Sequence, residues 1–255
     1  MTLALRHRPV PDSLLARWDA RWKLAAMLVA AAGVAAVDHA LPAAVALAVG
    51  LGLVVLARLP GKWARGRLLA LGFAALPFVL ILPFTLDTAG PGWDVGPVRV
   101  SEHGLLSGLA VFCRCVAIGA FALVLVGTAP VHHTFAAAHK LKVPGLLVLL
   151  ALLAYRYAFL LGEELRRLRT ALRVRGFKPR ADRHGYRTLG HVVGVVLVRG
   201  SDRAERVAEA MRCRGFDGRF HTLTAFRTTA ADVLSFLLTL TGTIALVIWD
   251  RLGLS

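Results

Sequence analysis

Apolar residues along this chain fall into long unbroken runs, not into short alternations, and each run is closed by a charged or turn-forming group. Leu24 to Val37, Leu41 to Ala57, Leu68 to Leu86, Leu105 to Thr128, Leu146 to Leu161 and Ala231 to Trp249 are each dominated by aliphatic side chains. Such runs, about 20 residues or slightly fewer, suit helices crossing a hydrocarbon core of about 30 Å. The first run is short and calls for Trp22 and Lys23 at the membrane interface. Between the fifth and last runs the pattern changes to closely spaced arginines over Glu163 to Arg227, with 16 Lys and Arg against 7 Asp and Glu. The pattern predicts an all-α, polytopic membrane protein with about five transmembrane helices and a cytoplasmic helical arm. Residues 1–128 then hold four spans and a basic tail, 129–227 the interfacial and cytoplasmic helices, and 228–255 the last span.

Composition agrees: 57% of the 255 residues are hydrophobic and mean hydropathy is +0.64. The net charge of +16 would suit a nucleic-acid binder, but basic residues also collect in cytoplasmic loops of membrane proteins, and the apolar runs favour that second reading with no nucleic-acid partner. The basic segment before Leu24, with Arg6, Arg8, Arg17 and Arg21, reads as a cytoplasmic tail and not a cleaved signal. Arg58, Lys62, Arg65 and Arg67 mark the next cytoplasmic loop. Asp87 to His103, with Asp94, Glu102 and turn signals at Gly90-Pro91 and Gly96-Pro97, marks an outside one. Four crossings return the chain to the cytoplasm near Pro130. A fifth crossing at Leu146 to Leu161 would carry the arginine-rich segment outside, against the positive-inside rule. That run, interrupted by Arg156, is therefore expected to lie at the cytoplasmic face as the start of a long helix through Glu163-Glu164.

Within the arm one phrase occurs twice, 39 residues apart: Ala171-Leu-Arg-Val-Arg-Gly-Phe177 and Ala210-Met-Arg-Cys-Arg-Gly-Phe216. Gly176 and Gly215 suit the left-handed residue after a helix, and Arg173, Arg175, Arg212 and Arg214 complement the negative end of its dipole. Asp202 and Glu205 have capping-box spacing and predict a helix start just before the second copy. A planar, bidentate arginine followed by a bulky Phe at a helix tip resembles a plug, and two matched plugs imply two similar sockets.

The paired motifs resemble the transmembrane T component of energy-coupling factor (ECF) transporters. Ala210-Met-Arg-Cys-Arg-Gly-Phe-Asp-Gly-Arg219 is similar to the CbiQ family of cobalt and nickel transport, as are Thr128-Ala-Pro130, Leu141-Lys-Val-Pro144 and Tyr155-Arg-Tyr157 with Glu163-Glu164. The family signature is Ala-Arg-Gly; here Val174 and Cys213 stand in the alanine position. The resemblance implies a non-catalytic scaffold in the cell inner membrane. Its partners would be two ATPase subunits of the CbiO kind, a CbiM-like substrate-capture subunit with a small CbiN-like subunit as an optional addition, and membrane lipid. ATP would be bound by the partners, and this chain would hold no cofactor. It implies ATPase coupling through Arg173, Arg175, Gly176, Phe177, Arg212, Arg214, Gly215 and Phe216. A vitamin T component is the rival within transport, and a membrane enzyme acting on an anionic lipid is the rival from another class. No phosphate-binding Gly-x-x-x-x-Gly-Lys-Ser/Thr or hydrolase motif is present, so no residue is assigned to catalysis.

Two further groups carry chemistry. Arg114, between Cys113 and Cys115 inside the fourth run, is expected to serve intramembrane packing or coupling, with no acid inside another run to pair with it. The two thiols, at i and i+2, point to different sides of a helix and make a shared metal improbable. His132, His133 and His139 are read as solvated loop residues, and no metal site is assigned. Gly50, Gly52, Pro77 and Pro83 suit close packing or kinking of spans.

Overall fold

The structure, a computed structural model, describes residues 13, 15, 18–85, 92–95, 98–141, 143–178, 180, 182–218 and 228–253. The expectations for the N-terminal tail through Arg17, for Asp87, Gly90-Pro91, Gly96-Pro97, Lys142 and Arg219, and for the side chains of Asp94, Glu102 and His132, fall outside the described residues. Eight helices are described: α1 Ala20–Ala35, α2 Ala40–Leu56, α3 Gly61–Thr85, α4 Glu102–Thr128, α5 Val131–Lys140, α6 Gly145–Val174, α7 Arg183–Cys213 and α8 Ala230–Arg251. Among the described residues the one exception to an all-α chain is an antiparallel hairpin, β1 Gly92–Val95 with β2 Val98–Ser101, paired from Gly92 opposite Ser101 to Val95 opposite Val98. Four helices, α3, His103–Thr128 within α4, α6 and α8, are long and apolar enough to cross a membrane, and α2 is a shorter apolar helix. The chain is a multi-pass membrane protein. It divides into two compact units, one of Pro9–Leu141 with Thr224–Ser255 and one spanning Lys142–Leu223.

In the first unit α4 is central, packed against α1, α2 and α3. Its inner face is made of small residues: Ala110, Ala117 and Ala120 are buried to 1% or less exposure. Lipid chains are as apolar as leucine, so helices in a bilayer gain from close van der Waals approach more than from hydrophobic burial. Small side chains permit that approach. Gly50 of α2 lies against Ala117 and Ala120, whereas Gly52 meets nothing within 4 Å and has no packing role in the bundle. At the other flank a Cβ on Gly104 would sit 2.8 Å from the Leu82 carbonyl oxygen and the Pro83 Cα, so only glycine fits where α3 and α4 backbones meet. Pro77 and Pro83 lie inside α3, which continues through both.

Polar groups tie the helix ends together. At one end Asp232 of α8 accepts from its own Thr229 N–H at 2.8 Å and from the Asp19 N–H at 3.0 Å. Arg21 pairs with Asp19 at 2.9 Å and donates to Thr228 Oγ1 at 2.9 Å. Lys23, 1% exposed, donates to Thr128 Oγ1 at the end of α4, at 3.2 Å. At the opposite end the buried Asp250 accepts from the Asp38 N–H at 3.1 Å and the His39 N–H at 2.9 Å, with His39 Nδ1 at 3.0 Å. Helices α1 and α8 therefore run parallel, and the chain leaves α4 and re-enters α8 at the same end of the bundle.

Several sequence expectations change here. Lys23 does not reach outward from the bundle; it is buried toward Thr128, and Trp22 packs on Phe236 with ring centroids 5.2 Å apart. Arg58 to Arg67 is not all loop, because α3 starts at Gly61 and carries Lys62, Arg65 and Arg67. The Pro60 carbonyl accepts from the N–H groups of Trp63 and Ala64, and proline suits the edge of a helix start. No helix starts at Asp202. Helix α7 begins after Asp182, whose side chain accepts from the Gly185 N–H at 2.6 Å, and runs unbroken through Gly200-Ser201. The capping-box spacing was misleading because an apolar stripe of helical period precedes it without a breaker.

Candidate functional site

The second unit consists of α6 and α7, each a helix of about 45 Å at 1.5 Å per residue. Leu146 to Leu161 forms the first half of α6, which continues through Glu163 and Glu164 to Val174 as the sequence leads one to expect. The two helices meet where Arg199 of α7 pairs with Glu164 of α6 and where Leu161 lies beside Gly200. The pairing of Glu164 across helices is a feature that spacing along one helix did not reveal.

Both helices end alike. In α6 the N–H of Gly176 bonds to the Arg173 carbonyl at 3.1 Å and that of Phe177 to the Leu172 carbonyl at 3.0 Å. In α7 the N–H of Gly215 bonds to the Arg212 carbonyl at 3.0 Å and that of Phe216 to the Met211 carbonyl at 3.1 Å. These crossed pairs are the Schellman arrangement, which satisfies carbonyls that a helix end otherwise leaves open. It requires a left-handed residue, and Gly176 and Gly215 adopt φ of +78° and +77°. Chain direction reverses sharply there.

The reversal sets what each side chain presents. Leu172 and Phe177 are half-buried while Arg173, Val174, Arg175 and Gly176 are exposed; the same order holds for Met211, the four residues from Arg212 to Gly215, and Phe216. Sequence repetition thus becomes repetition of shape: a cation-bearing knuckle braced by a half-buried aromatic. Phe177 also packs beside His184 at the start of α7, with centroids 6.3 Å apart. Among the described residues no carboxylate pairs with Arg173, Arg175, Arg212 or Arg214. Arg212 Nε donates to the Ala208 carbonyl of its own helix at 3.4 Å, whereas the guanidinium groups of Arg173, Arg175 and Arg214 keep their planar donor forks for carboxylates or carbonyls of another molecule.

Arg114 is a different kind of arginine. Its guanidinium donates to the Val37 carbonyl at the end of α1 and to the Asp38 carboxylate at 3.2 Å. The acid absent from the apolar runs lies in the turn just beyond one of them. Cys113 is buried and Cys115 exposed, in line with their expected divergence. Among the described residues no group of three or more His, Cys, Asp or Glu is placed to hold a metal ion. An apolar cleft of about 440 Å³ lies between α1, α2, α4 and α8, lined by residues such as Met27, Val34, Phe121, Thr243 and Leu246. It offers no imidazole, thiol or carboxylate, the ligands that suit a transition metal.

These features define a multi-pass helical membrane protein whose separate helical unit carries two matched, exposed arginine tips. The family profile described as cobalt transport protein, CbiQ, matches residues 11–224, and the chain belongs to that family. It is 29% identical over 192 residues to the cobalt transport protein CbiQ of Rhodobacter capsulatus, covering 74% of each chain. It is also 29% identical over 180 residues to the nickel permease LarQ of Lactiplantibacillus plantarum, covering 71% of this chain and 57% of that protein. Membership makes it a component of cobalt or nickel transport.

Proposed function

We propose that the chain is the transmembrane coupling subunit of an ATP-driven, ECF-type cobalt or nickel uptake transporter. It links two ATPase subunits to a separate membrane subunit that captures the ion. The observation that carries this reading is the pair of capped tips, Arg173 to Phe177 and Arg212 to Phe216, matched in backbone, exposure and charge. Two equal knuckles suit two equal or related sockets. Arg175 and Arg214 each enter a carboxylate- or carbonyl-lined pocket while Phe177 and Phe216 fill its apolar wall. Closure of the ATPase pair on ATP brings the tips together, and α6 and α7 carry that movement toward the capture subunit. Nucleotide is held by the partners.

The arm lies on the cytoplasmic side of the cell membrane. Because the chain leaves and re-enters the bundle at one end, residues 129–229 cross the membrane an even number of times, zero included. The 16 basic residues from Glu163 to Arg227 favour zero, with α6 at the interface despite its apolar first half. The exposed Cys213 supplies a native reporter. A membrane-impermeant maleimide should label it in inverted vesicles and not in intact cells; labelling in intact cells would overturn the orientation.

Co-purification tests the main reading. Affinity capture of this chain from its native membrane should bring down ATPase subunits in a stoichiometry of two. Recovery of the chain without ATPase under conditions that support metal uptake would sink the proposal.

A further inference from the structure

Charges at one end of the bundle are managed in two ways. At the α1/α8 corner Arg21 is matched by Asp19, and the buried Lys23 lies among residues that include Asp19 and Asp232. At the α2–α3 turn Arg58, Lys62, Arg65 and Arg67 are all exposed, and among the described residues none pairs with a carboxylate. Nor do the helices that flank the turn offer one. The sequence has no acid between Asp38 and Asp87, nor between Glu102 and Glu163, so α2, α3, α5 and all of α4 after its first residue are free of carboxylates. Leu59 and Trp63 pack the turn against Gly127 at the end of α4, which brings in no counter-charge.

The turn is also held in a costly way. Arg58 has φ of 49°, the one non-glycine residue with positive φ among the described residues; Gly176, Gly215 and Gly253 take that role at other helix ends. Glycine would occupy this position with less strain, and an arginine there keeps a cation at the turn. Arg67 lies over the Trp63 ring, 4.1 Å from its centroid, a cation–π contact of a residue type that concentrates at the headgroup level. Just along both helices the side chains are apolar and open: Val55 is 77% exposed, Leu69 72% and Phe73 78%. In a bilayer those surfaces meet acyl chains. The four cations therefore stand at the edge of the lipid-facing belt.

We propose that the α2–α3 turn, with Arg58, Lys62, Arg65 and Arg67, is a binding site for anionic phospholipid headgroups. The lipid's phosphate sits among the guanidinium and ammonium donors, and its acyl chains run along Val55, Leu69 and Phe73. An acidic protein surface would satisfy the charge but not the apolar faces that continue directly from it.

Native mass spectrometry of the full-length protein from mixed micelles of phosphatidylglycerol and phosphatidylcholine tests this. Wild-type protein should retain the anionic lipid in preference. Retention should fall about fivefold for each cation removed in Arg58→Gln, Lys62→Gln and Arg65→Gln combined, the factor for one basic side chain at an anionic surface. Arg166→Gln, Arg167→Gln and Arg169→Gln combined, which remove equal charge from α6 and leave the turn intact, should keep retention within about twofold of wild type, since an exposed, screened charge acts only on its own neighbourhood. The lysine variant Arg58→Lys with Arg65→Lys should keep most of the binding. If the triple turn variant is not monodisperse, Lys62→Gln and Arg65→Gln are read singly. Equal retention of the two lipids, unchanged retention in the turn variant, or equal losses in turn and α6 variants would overturn the proposal. So would loss of a protein partner from the turn variant with lipid retention intact.

Discussion

The charged residues that tie α1, α4 and α8 together and those at the tips of α6 and α7 obey opposite rules. Asp19, Arg21, Asp232, Asp250 and Arg114 are all engaged within the fold, through backbone amides, carbonyls or each other. Arg175 and Arg214 lie exposed on helix ends whose own hydrogen bonds are already complete without them. In the first group, charge is an internal fastening. At the tips the backbone supplies the fastening and leaves the charge outward. A side chain in the first group should matter to stability, and one in the second to association.

Four experiments press on that division. Arg175→Glu combined with Arg214→Glu should abolish ATPase co-purification while leaving the chain monodisperse, since breaking a desolvated charge pair costs about 2–5 kcal/mol at each tip. Retained ATPase would break the comparison at its larger side. Asp250→Ala strands the Asp38 and His39 amides and should lower stability by about 2–4 kcal/mol, seen as a lower melting temperature in detergent. The ATPase should remain bound when the variant is kept below that temperature. Gly215→Ala forces a Cβ into φ of +77° with open space around it, so the loss is conformational only, about 1 kcal/mol. Hydrogen exchange over Arg212 to Phe216 should quicken; unchanged protection would mean the Schellman cap contributes nothing. Smallest of all, Val174→Ala and Cys213→Ala restore the family's alanine at exposed positions and should shift stability and ATPase binding by no more than about 0.5 kcal/mol.

What could be read before folding follows from the range of the interactions involved. The run lengths revealed the apolar helices, and the repeat together with glycine placement revealed both tips, because helix-end chemistry is local and leaves its residues adjacent in sequence. The α6 helix was legible through Arg156 because a single charge does not interrupt a backbone of helix formers. Long-range partners were hidden. Asp250 meets His39 across 211 residues and Arg114 meets Asp38 across 76, with no pattern in either segment to announce the other. Asp202 misled for the complementary reason: a capping signature is two residue types at a spacing, and a helix already under way passes through it. The hairpin at Gly92–Ser101 lay in a segment whose turn signals suggested only a loop.

The meeting of α6 and α7 at Glu164 and Arg199 has a mechanical consequence. Each helix extends on both sides of that contact, so under the proposed coupling role it would act as a fulcrum. From it α6 reaches Val174 in one direction and Gly145 in the other; α7 reaches Cys213 and Arg183. At 1.5 Å per residue the tip-side arms are about 15 and 20 Å and the opposite arms about 25 to 30 Å. A rigid pivot would then return each ångström of travel at a tip as roughly one to two ångströms at the far end, with the sense reversed. Such a lever would consist of two continuous helices joined by the Arg199–Glu164 pair and the Leu161–Gly200 contact, and lengthening either tip would lower its gain.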